Sequence, residues 1–239
     1  MMKIRLLLLA LLSTLLLPGL GVAAQEDACY AHYGLWDAET QTCSLTMGVQ
    51  VSVNYPLELA DFPLAAGTID SFIKTHQQNF VASYTPIFDL PTFTNNWTLN
   101  INYELFQFSD TVRSVLFTLS DYTGGAHPNA NFQTFTFDFA NDRLLTLADV
   151  FVDGQIPWVD ISTFVQVDLS EKMGDMADLQ WIADGTGENP DNYQNWVLTA
   201  DSIIFFFPPY QVAAYAAGPQ QVEIPFSALH TLLAPPFAS

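Results

Sequence analysis

The sequence predicts an α+β fold with largely antiparallel sheets, arranged as two βαββ-like halves packed with helices and preceded by an N-terminal disulfide hairpin. Stretches in which apolar and polar residues alternate recur along the chain, and most of them are joined by short turns. Two stretches with helical spacing interrupt these predicted strands. Of the 239 residues, 50% are apolar and 14% are aromatic, which is enough to build a sizeable core.

An export signal is predicted over residues 1–24. Met1–Arg5 is short and basic, Leu6–Leu17 is almost entirely apolar, and small residues up to Ala24 offer a cleavage site. An uncleaved anchor is the alternative, because the uncharged run approaches the length that spans a bilayer. No second run of that length follows. We therefore expect a mature chain without a membrane span that is secreted, periplasmic or at the cell surface.

The two cysteines, Cys29 and Cys43, both follow the predicted cleavage site. In an oxidising compartment, a pair of this kind is expected to form a disulfide. Turn-forming residues at 37–41 lie between the cysteines, which predicts a stapled hairpin within residues 25–46. Closing a loop of this length stabilises a fold by roughly 3 kcal/mol in the chain-entropy model.

The next segment, residues 47–120, contains a predicted strand, a helix and a hairpin in that order. Strict alternation over 49–55 predicts the strand. Helical spacing over 69–80 predicts the helix, with Thr68 as a possible N-cap. Alternation resumes over 97–120 on both sides of a turn, which predicts a hairpin. We interpret this segment as a companion of the domain that follows it.

The C-terminal domain is predicted over residues 121–239. Alternation over 134–139 predicts a strand, and helical spacing over 158–173 predicts a helix with Pro157 in its first turn. Residues 183–193 are rich in Gly, Asn, Pro and acidic side chains, which predicts a loop. The remaining predicted elements are a hairpin over 196–207, a strand at 222–224 and a short helix over 227–233.

The chain is strongly acidic, with 25 acidic residues against 6 basic ones and a formal charge of −19. Lys3 and Arg5 belong to the predicted signal, so the mature chain is more acidic still. Nucleic acid is excluded as a partner because neutralising its phosphates needs clustered Lys and Arg. The charge favours a cationic partner.

Sequence motifs for catalysis and for metal binding are missing. The four histidines are widely spaced, so no helix presents two imidazoles on one face. The sequence contains no GxSxG elbow, no phosphate-binding loop and no dinucleotide fingerprint. We expect no cofactor and no metal. A calcium site built from Asp184, Glu188 and Asp191 is the alternative to a solvated acidic loop.

The segment YTGGAHPN, at 122–129, is the first candidate binding element. Its two glycines permit a tight backbone reversal, and Pro128 forces His127 into an extended conformation. We therefore expect an imidazole at the tip of a loop between two strands. The alternative is a turn in which the histidine caps local backbone groups. The candidate residues are Tyr122, Gly124, Gly125, His127 and Asn129.

The segment FPPYQVAAYAAG, at 207–218, is the second candidate. Its two prolines end the preceding predicted strand. Tyr210 and Tyr215 then lie among small residues that allow backbones to approach closely. The two tyrosines are candidate binding residues, and a buried connection is the alternative.

Three runs carry a resemblance to a known family: DYTGGAHPN, TFTFDFANDRLLTLADVF and FFFPPYQVAAYAAGPQQVEIPFSAL. They resemble the exported domain of unknown function of the lysozyme-sensing anti-sigma factor RsiV, which also occurs beside the catalytic domain of PdaC-type peptidoglycan deacetylases. The resemblance covers about residues 49–233 and implies an α+β unit outside the membrane. In RsiV this domain binds lysozyme.

The sequence departs from these relatives in informative ways. Only Met1–Arg5 precedes the apolar run, so no anti-sigma activity is expected, and the metal ligands of the deacetylase domain are missing. The resemblance therefore implies a non-enzymatic binding module that recognises a cationic lysozyme-type hydrolase or cell-wall glycan through the two candidate segments. The alternative is a peptidoglycan-modifying hydrolase or deacetylase in which His127 acts as a general base paired with Asp121 or another carboxylate.

Overall fold

The computed structural model describes residues 35–37, 42–44, 48–84, 97–229 and 231–238. The chain divides into two compact units, 1–47 and 48–239. In the first unit, β1 (Leu35–Asp37) and β2 (Thr42–Ser44) pair as an antiparallel ladder. The predicted signal lies outside the described residues, and so does Cys29, one of the two cysteines of the predicted disulfide.

A five-stranded sheet forms the centre of the second unit. Its strands run in the order β3-β4-β5-β6-β7, so each strand lies beside its neighbour in sequence. The β3–β4 pair is parallel, whereas the other three pairs are antiparallel. The bounds are Val49–Val53 for β3, Trp97–Gln107 for β4, Val112–Tyr122 for β5, Asn129–Asp138 for β6 and Arg143–Leu145 for β7.

The helix α1 (Pro63–Ser83) covers one face of this sheet. It buries Ala65, Ile69 and Ile73 against the apolar side chains of β4, β5 and β6. The helix begins at Pro63, whose fixed φ suits the first helical position. The predicted N-cap at Thr68 is therefore wrong, since that residue lies inside the helix.

A second layer follows the sheet in sequence and differs from the predicted βαββ-like half. Both of its long segments of helix precede its three strands, which pair in the order β10-β9-β8. Part of the predicted loop at 183–193 is helical, because Asp178 caps the helix α3 and accepts hydrogen bonds from two backbone N–H groups. The bounds are Trp158–Met173 for α2, Leu179–Thr186 for α3, Trp196–Leu198 for β8, Ser202–Phe207 for β9, Gln220–Pro225 for β10 and Phe226–Leu229 for α4.

Two hydrogen bonds join β8 to the face of the large sheet opposite α1. The backbone N–H of Leu198 donates to the hydroxyl of Ser114 at 3.0 Å, and that of Trp196 donates to Thr134 at 3.1 Å. The free edge of β8 thus finds acceptors on side chains of β5 and β6 instead of on a fourth strand. The predicted division at residue 120 falls within β5, whose partners lie on both sides of it.

The described architecture is thus a mixed α+β fold with mainly antiparallel sheets, as the sequence predicted in outline. Across the described ranges, none of the helices has the combined length and apolarity needed to cross a bilayer.

Candidate functional site

The loop between β5 and β6 carries the histidine that the sequence singles out. Gly124 has φ 94°, a left-handed conformation that glycine adopts without steric strain, and Gly125 follows it at the exposed turn. Pro128 then leads the chain into β6. His127 is partly exposed at this tip. The local sequence therefore places the imidazole where it can meet other parts of the molecule.

Both ring nitrogens of His127 have hydrogen-bond partners. Nδ1 lies 3.0 Å from the carbonyl oxygen of Pro128, and Nε2 lies 3.2 Å from the hydroxyl of Tyr210. Because a carbonyl oxygen only accepts, Nδ1 carries the proton of the neutral ring. Nε2 is then the acceptor, and the Tyr210 hydroxyl donates to it.

Tyr215 packs against the face of the His127 imidazole ring. Its ring stacks on the imidazole with centroids 3.6 Å apart and planes inclined by 16°. Its hydroxyl donates to the carbonyl oxygen of Pro128 at 2.7 Å. We call His127, Tyr210 and Tyr215 the aromatic cluster. The structure brings together these three candidate residues from two distant segments of the chain.

The backbone at Tyr210 is unusual. This residue has φ 71°, in the left-handed region that is unfavourable for a side chain as large as tyrosine, and its side chain remains 55% exposed. Its carbonyl oxygen accepts a hydrogen bond from the Trp181 indole at 3.0 Å, and its N–H donates to Ala213. Strained residues of this kind concentrate at functional sites.

Tyr122 and Asn129 lie at the foot of the loop and not in the cluster. The side-chain amide of Asn129 donates to the Asp121 carboxylate at 2.9 Å, which ties the ends of β5 and β6 together. Within the described ranges, Tyr122 has no ring contact with the aromatic cluster. The imidazole is therefore flanked by Tyr210 and Tyr215 and not by the candidate residues Tyr122 and Asn129.

The proposed pairing of His127 with Asp121 is not what the structure shows. The Asp121 carboxylate bonds to Asn129, and no carboxylate in the described part of the chain hydrogen-bonds to His127. A general base normally needs such an orienting partner to be effective.

A polar cleft of about 600 Å³ opens beside the aromatic cluster. Trp181 joins the two features, since it lines the cleft and donates to the backbone of Tyr210. Gln211 supports the cleft wall by donating to the carbonyl oxygens of Gly185 and Asn192, both at 2.9 Å. The lining consists of Asp178, Gln180, Trp181, Asp184, Gly185, Asn192 and Gln211. No motif in the sequence marks this cleft as a binding site.

The acidic side chains near the cleft do not form a metal site. Asp184 accepts a hydrogen bond from Gln180 at 2.7 Å, and Asp191 accepts one from Gln194 at 3.3 Å. Among the residues that the structure describes, no group of three or more His, Cys, Asp or Glu side chains is arranged to hold a metal ion. The alternative of calcium binding by Asp184, Glu188 and Asp191 gains no support from this arrangement.

Three curated relatives resemble the chain over most of its length. Immunogenic protein MPT64 of Mycobacterium tuberculosis is 27% identical over 217 residues, which is 90% of this chain and 92% of that protein. Esterase Rv3036c of the same organism is 29% identical over 75% of this chain and 74% of the esterase. Peptidoglycan-N-acetylmuramic acid deacetylase PdaC of Bacillus subtilis is 26% identical over 76% of this chain, but the match spans only 38% of PdaC.

A solved structure shares the fold. A DUF3298 family protein from Pseudomonas aeruginosa PAO1 superposes with a TM-score of 0.55 at 17% sequence identity, covering 77% of this chain and 85% of that one. The family model described as "Protein of unknown function (DUF3298)" matches residues 148–227. That range contains both tyrosines of the aromatic cluster, whereas His127 precedes it. Residues 148–227 of this chain therefore resemble the DUF3298 family in sequence.

Proposed function

We propose that this chain is an exported, non-enzymatic binding module of the cell envelope, and that its target is the glycan of the cell wall. The observation that carries the proposal is the aromatic cluster, in which Tyr210 is held exposed in a strained conformation beside the polar cleft. Small-molecule and sugar sites combine apolar ring surfaces with a few convergent polar groups. The cluster supplies the rings, and the cleft supplies amides and carboxylates.

The manner in which the tyrosine is held supports a recognition role. Three contacts fix the position of Tyr210: its hydroxyl donates to His127, its carbonyl oxygen accepts from the Trp181 indole, and its ring lies beside that of Tyr215. Fixing a side chain before binding lowers the entropic cost of ordering it when the ligand binds. Tyrosine also offers a large amphipathic surface with few rotatable bonds, which suits a binding anchor.

The relative PdaC supports the choice of ligand. Its name assigns it to peptidoglycan, and the part that matches this chain is a minor share of its length. PdaC acts on the wall polymer, and this chain matches only part of it. A module that such an enzyme shares with this chain is well suited to binding that polymer. The predicted export signal agrees with a place outside the membrane.

A lysozyme-type hydrolase is the rival target within this proposal. The formal charge of −19 would attract a cationic protein and raise its association rate, an effect that weakens as salt is added. The resemblance to RsiV points in the same direction. The cleft contains Asp178 and Asp184 but no Lys or Arg, so it would also accept a cationic side chain.

The test is sedimentation with insoluble peptidoglycan. We expect the mature chain to co-sediment at moderate salt and the Tyr210→Ala variant to lose most of this binding. Tyr55→Ala is the matched control, because Tyr55 is also exposed, at 43%, but lies outside the cluster and the cleft. Equal sedimentation of both variants would refute the assignment. If titration with a c-type lysozyme releases heat and the chain does not sediment with peptidoglycan, the target is the lysozyme-type hydrolase instead.

A hydrolase is the second candidate function, because a 29% identical relative is named an esterase and Tyr210 donates to an unprotonated histidine nitrogen. In this alternative, His127 would draw the proton from the Tyr210 hydroxyl or from a bound water. Acetate release from peptidoglycan or from a simple acetyl ester measures it. Turnover that disappears in His127→Ala, while wall binding persists, would favour the enzyme over the binding module.

A further inference from the structure

A second groove, of about 460 Å³, lies between the end of α1 and the large sheet. Its volume falls in the range of roughly 300–1,000 Å³ that is typical of small-molecule sites. His76, Asn79, Phe80 and Ser83 line it from α1, and their spacing places them on one face of the helix. The sheet contributes Leu99, Leu119, Asp121, Asn131, Phe132 and Gln133. None of these residues belongs to the aromatic cluster or the polar cleft.

The helix face that covers the sheet changes character along its length. Ile69 and Ile73 are buried against the sheet, at 4% and 0% exposure. One turn later, the same face carries His76 and then Asn79, both exposed. Beyond residue 73 this face of the helix therefore carries polar side chains, with Phe80 as a partly buried apolar residue among them.

The sheet changes in the same way at the same level. On β6, Phe137 and Phe135 face α1, and the next residues on that face are Gln133 and Asn131. Phe72 marks the level, since its ring contacts both Phe135, at 5.6 Å, and His76, at 4.6 Å. Both opposed surfaces thus gain polar side chains at this level, where a purely structural contact would remain apolar.

Some polar groups in this groove are already hydrogen-bonded, and others are available to a ligand. Ser83 donates to the carbonyl oxygen of Phe80, and Gln133 donates to that of Thr134. In the described ranges, the side chains of His76, Asn79 and Asn131 have no hydrogen-bond partner. Each asparagine offers two donors and one acceptor, so the two amides can bind a group that itself both donates and accepts.

The charge of the groove selects against anions. It contains no Lys or Arg, and Asp121 supplies a negative charge. Partial burial lowers the pKa of His76, so this imidazole is neutral near pH 7 and also both donates and accepts. Buried Leu99 and Leu119 form an apolar floor beneath these groups. A neutral ligand with hydroxyl or amide groups and an apolar face matches this lining.

We infer that this groove is a second ligand site and that it binds a neutral sugar bearing an acetamido group. The acetamido N–H and C=O would bond to the side chains of Asn79 and Asn131 from opposite walls, while its methyl group would lie on the leucine floor. The inference rests on the proposed function for the source of the sugar, namely the cell wall. It uses a separate set of residues.

The test is an NMR titration with N,N′,N″-triacetylchitotriose, with cellotriose as the comparison sugar that has no acetamido groups. We expect backbone amide shifts centred on residues 79–83 and 131–133. Affinity for the acetylated sugar should be at least about tenfold higher, because cellotriose leaves the two amides without their partner. Equal affinities, no binding, or shifts confined to residues 210–215 would overturn the inference.

Substitutions then separate this groove from the aromatic cluster. Asn131→Ala should weaken binding of triacetylchitotriose by about five- to tenfold. Asn100→Ala is the matched control, since it removes an exposed amide on the other face of β4 and should leave affinity unchanged. Equal effects of the two variants would refute the site. Tyr210→Ala should remove most of the wall sedimentation yet preserve this titration, so failure of either proposal is seen independently of the other.

Discussion

The imidazole of His127 lies flat against the ring of Tyr215, with centroids 3.6 Å apart. The histidine belongs to a hairpin loop of the large sheet, whereas the tyrosine follows β9 of the second layer. Tyr215 also bonds to the residue after the histidine, through its hydroxyl and the Pro128 carbonyl at 2.7 Å. A surface loop that contains two glycines is thus clamped by a ring from elsewhere in the fold.

This clamp predicts different effects for two substitutions at Tyr215. Tyr215→Phe keeps the stacked ring and loses one hydrogen bond, so the free energy of unfolding should fall by about 1 kcal/mol while wall binding persists. Tyr215→Leu also loses the stack, and the loop at 123–128 should then exchange its amide hydrogens much faster. Urea denaturation and hydrogen exchange measure the two effects. Identical exchange in both variants would show that the stack does not hold the loop.

Glycine is usually less stabilising than alanine, but the left-handed backbone of Tyr210 predicts the opposite order at this position. Tyr210→Ala and Tyr210→Gly both remove the ring, but only glycine relieves the strain at φ 71°. The glycine variant should therefore be the more stable of the two by about 1 kcal/mol in thermal or urea unfolding, and both should lose wall binding equally.

Ala214 provides the control for this comparison. It is exposed and has φ −60°, where alanine is unstrained. Ala214→Gly should lower stability by about 0.5–1 kcal/mol. A less stable glycine at both positions would contradict the view that Tyr210 is held under strain.

The strands show how far the sequence predicts this fold. Alternation over 97–120 predicts the β4–β5 hairpin. The period of two is clearest in β4, which buries one face against α1, whereas β5 also buries Leu116 on its other face against the second layer. The helix α3 is not predicted, because its second half, residues 183–186, begins a run rich in Gly, Asn, Pro and acidic side chains that indicates a loop. Its position depends on the Asp178 cap and on the close approach of Gly185 to Gln211, and the second of these is a tertiary contact.

The site was predictable only in parts. His127 and Pro128 form a local signal, and the two tyrosines stand out among small residues. Their mutual contact depends on how the β5–β6 loop reaches the segment after β9, which no local pattern encodes. The polar cleft draws its lining from 178–185, 192 and 211 without a motif, so the sequence offers no signal for it.

Two glycines in helices should respond to alanine in opposite ways. A Cβ on Gly185 would overlap the backbone carbonyl of Gln211, so Gly185→Ala should force the cleft wall apart and destabilise the fold by about 1–3 kcal/mol. Gly67 lies exposed within α1 with no atom near its missing Cβ, so Gly67→Ala should stabilise by about 0.5–1 kcal/mol. Thermal unfolding of the two variants measures both signs. A harmless Gly185→Ala would show that the wall of the cleft can relax.

Arg143 links two carboxylates whose pKa values lie below the usual 3.8. Burial acts to raise the pKa of Asp138, but hydrogen bonds from Asn141 and the charge of Arg143 outweigh it. Burial likewise opposes the lowered pKa of Asp149, which results from hydrogen bonds with Thr146 and Arg143 and from the arginine charge. Arg143 lies 2.6 Å from Asp149 and 3.5 Å from Asp138.

Lowered carboxylate pKa values predict how stability depends on acid. The two carboxylates contribute fully to the free energy of unfolding above their pKa in the unfolded chain, near pH 4. This contribution is lost as the pH falls through their lower pKa values in the folded chain. Arg143→Gln should therefore be less stable than the natural chain at pH 7, and the two urea-unfolding curves should converge below about pH 3. Lys74→Gln is the control, because the Lys74–Asp70 pair is exposed on a helix surface and such pairs contribute little. A constant gap between Arg143→Gln and the natural chain from pH 7 to pH 2 would mean that the arginine acts through packing, not through these two carboxylates.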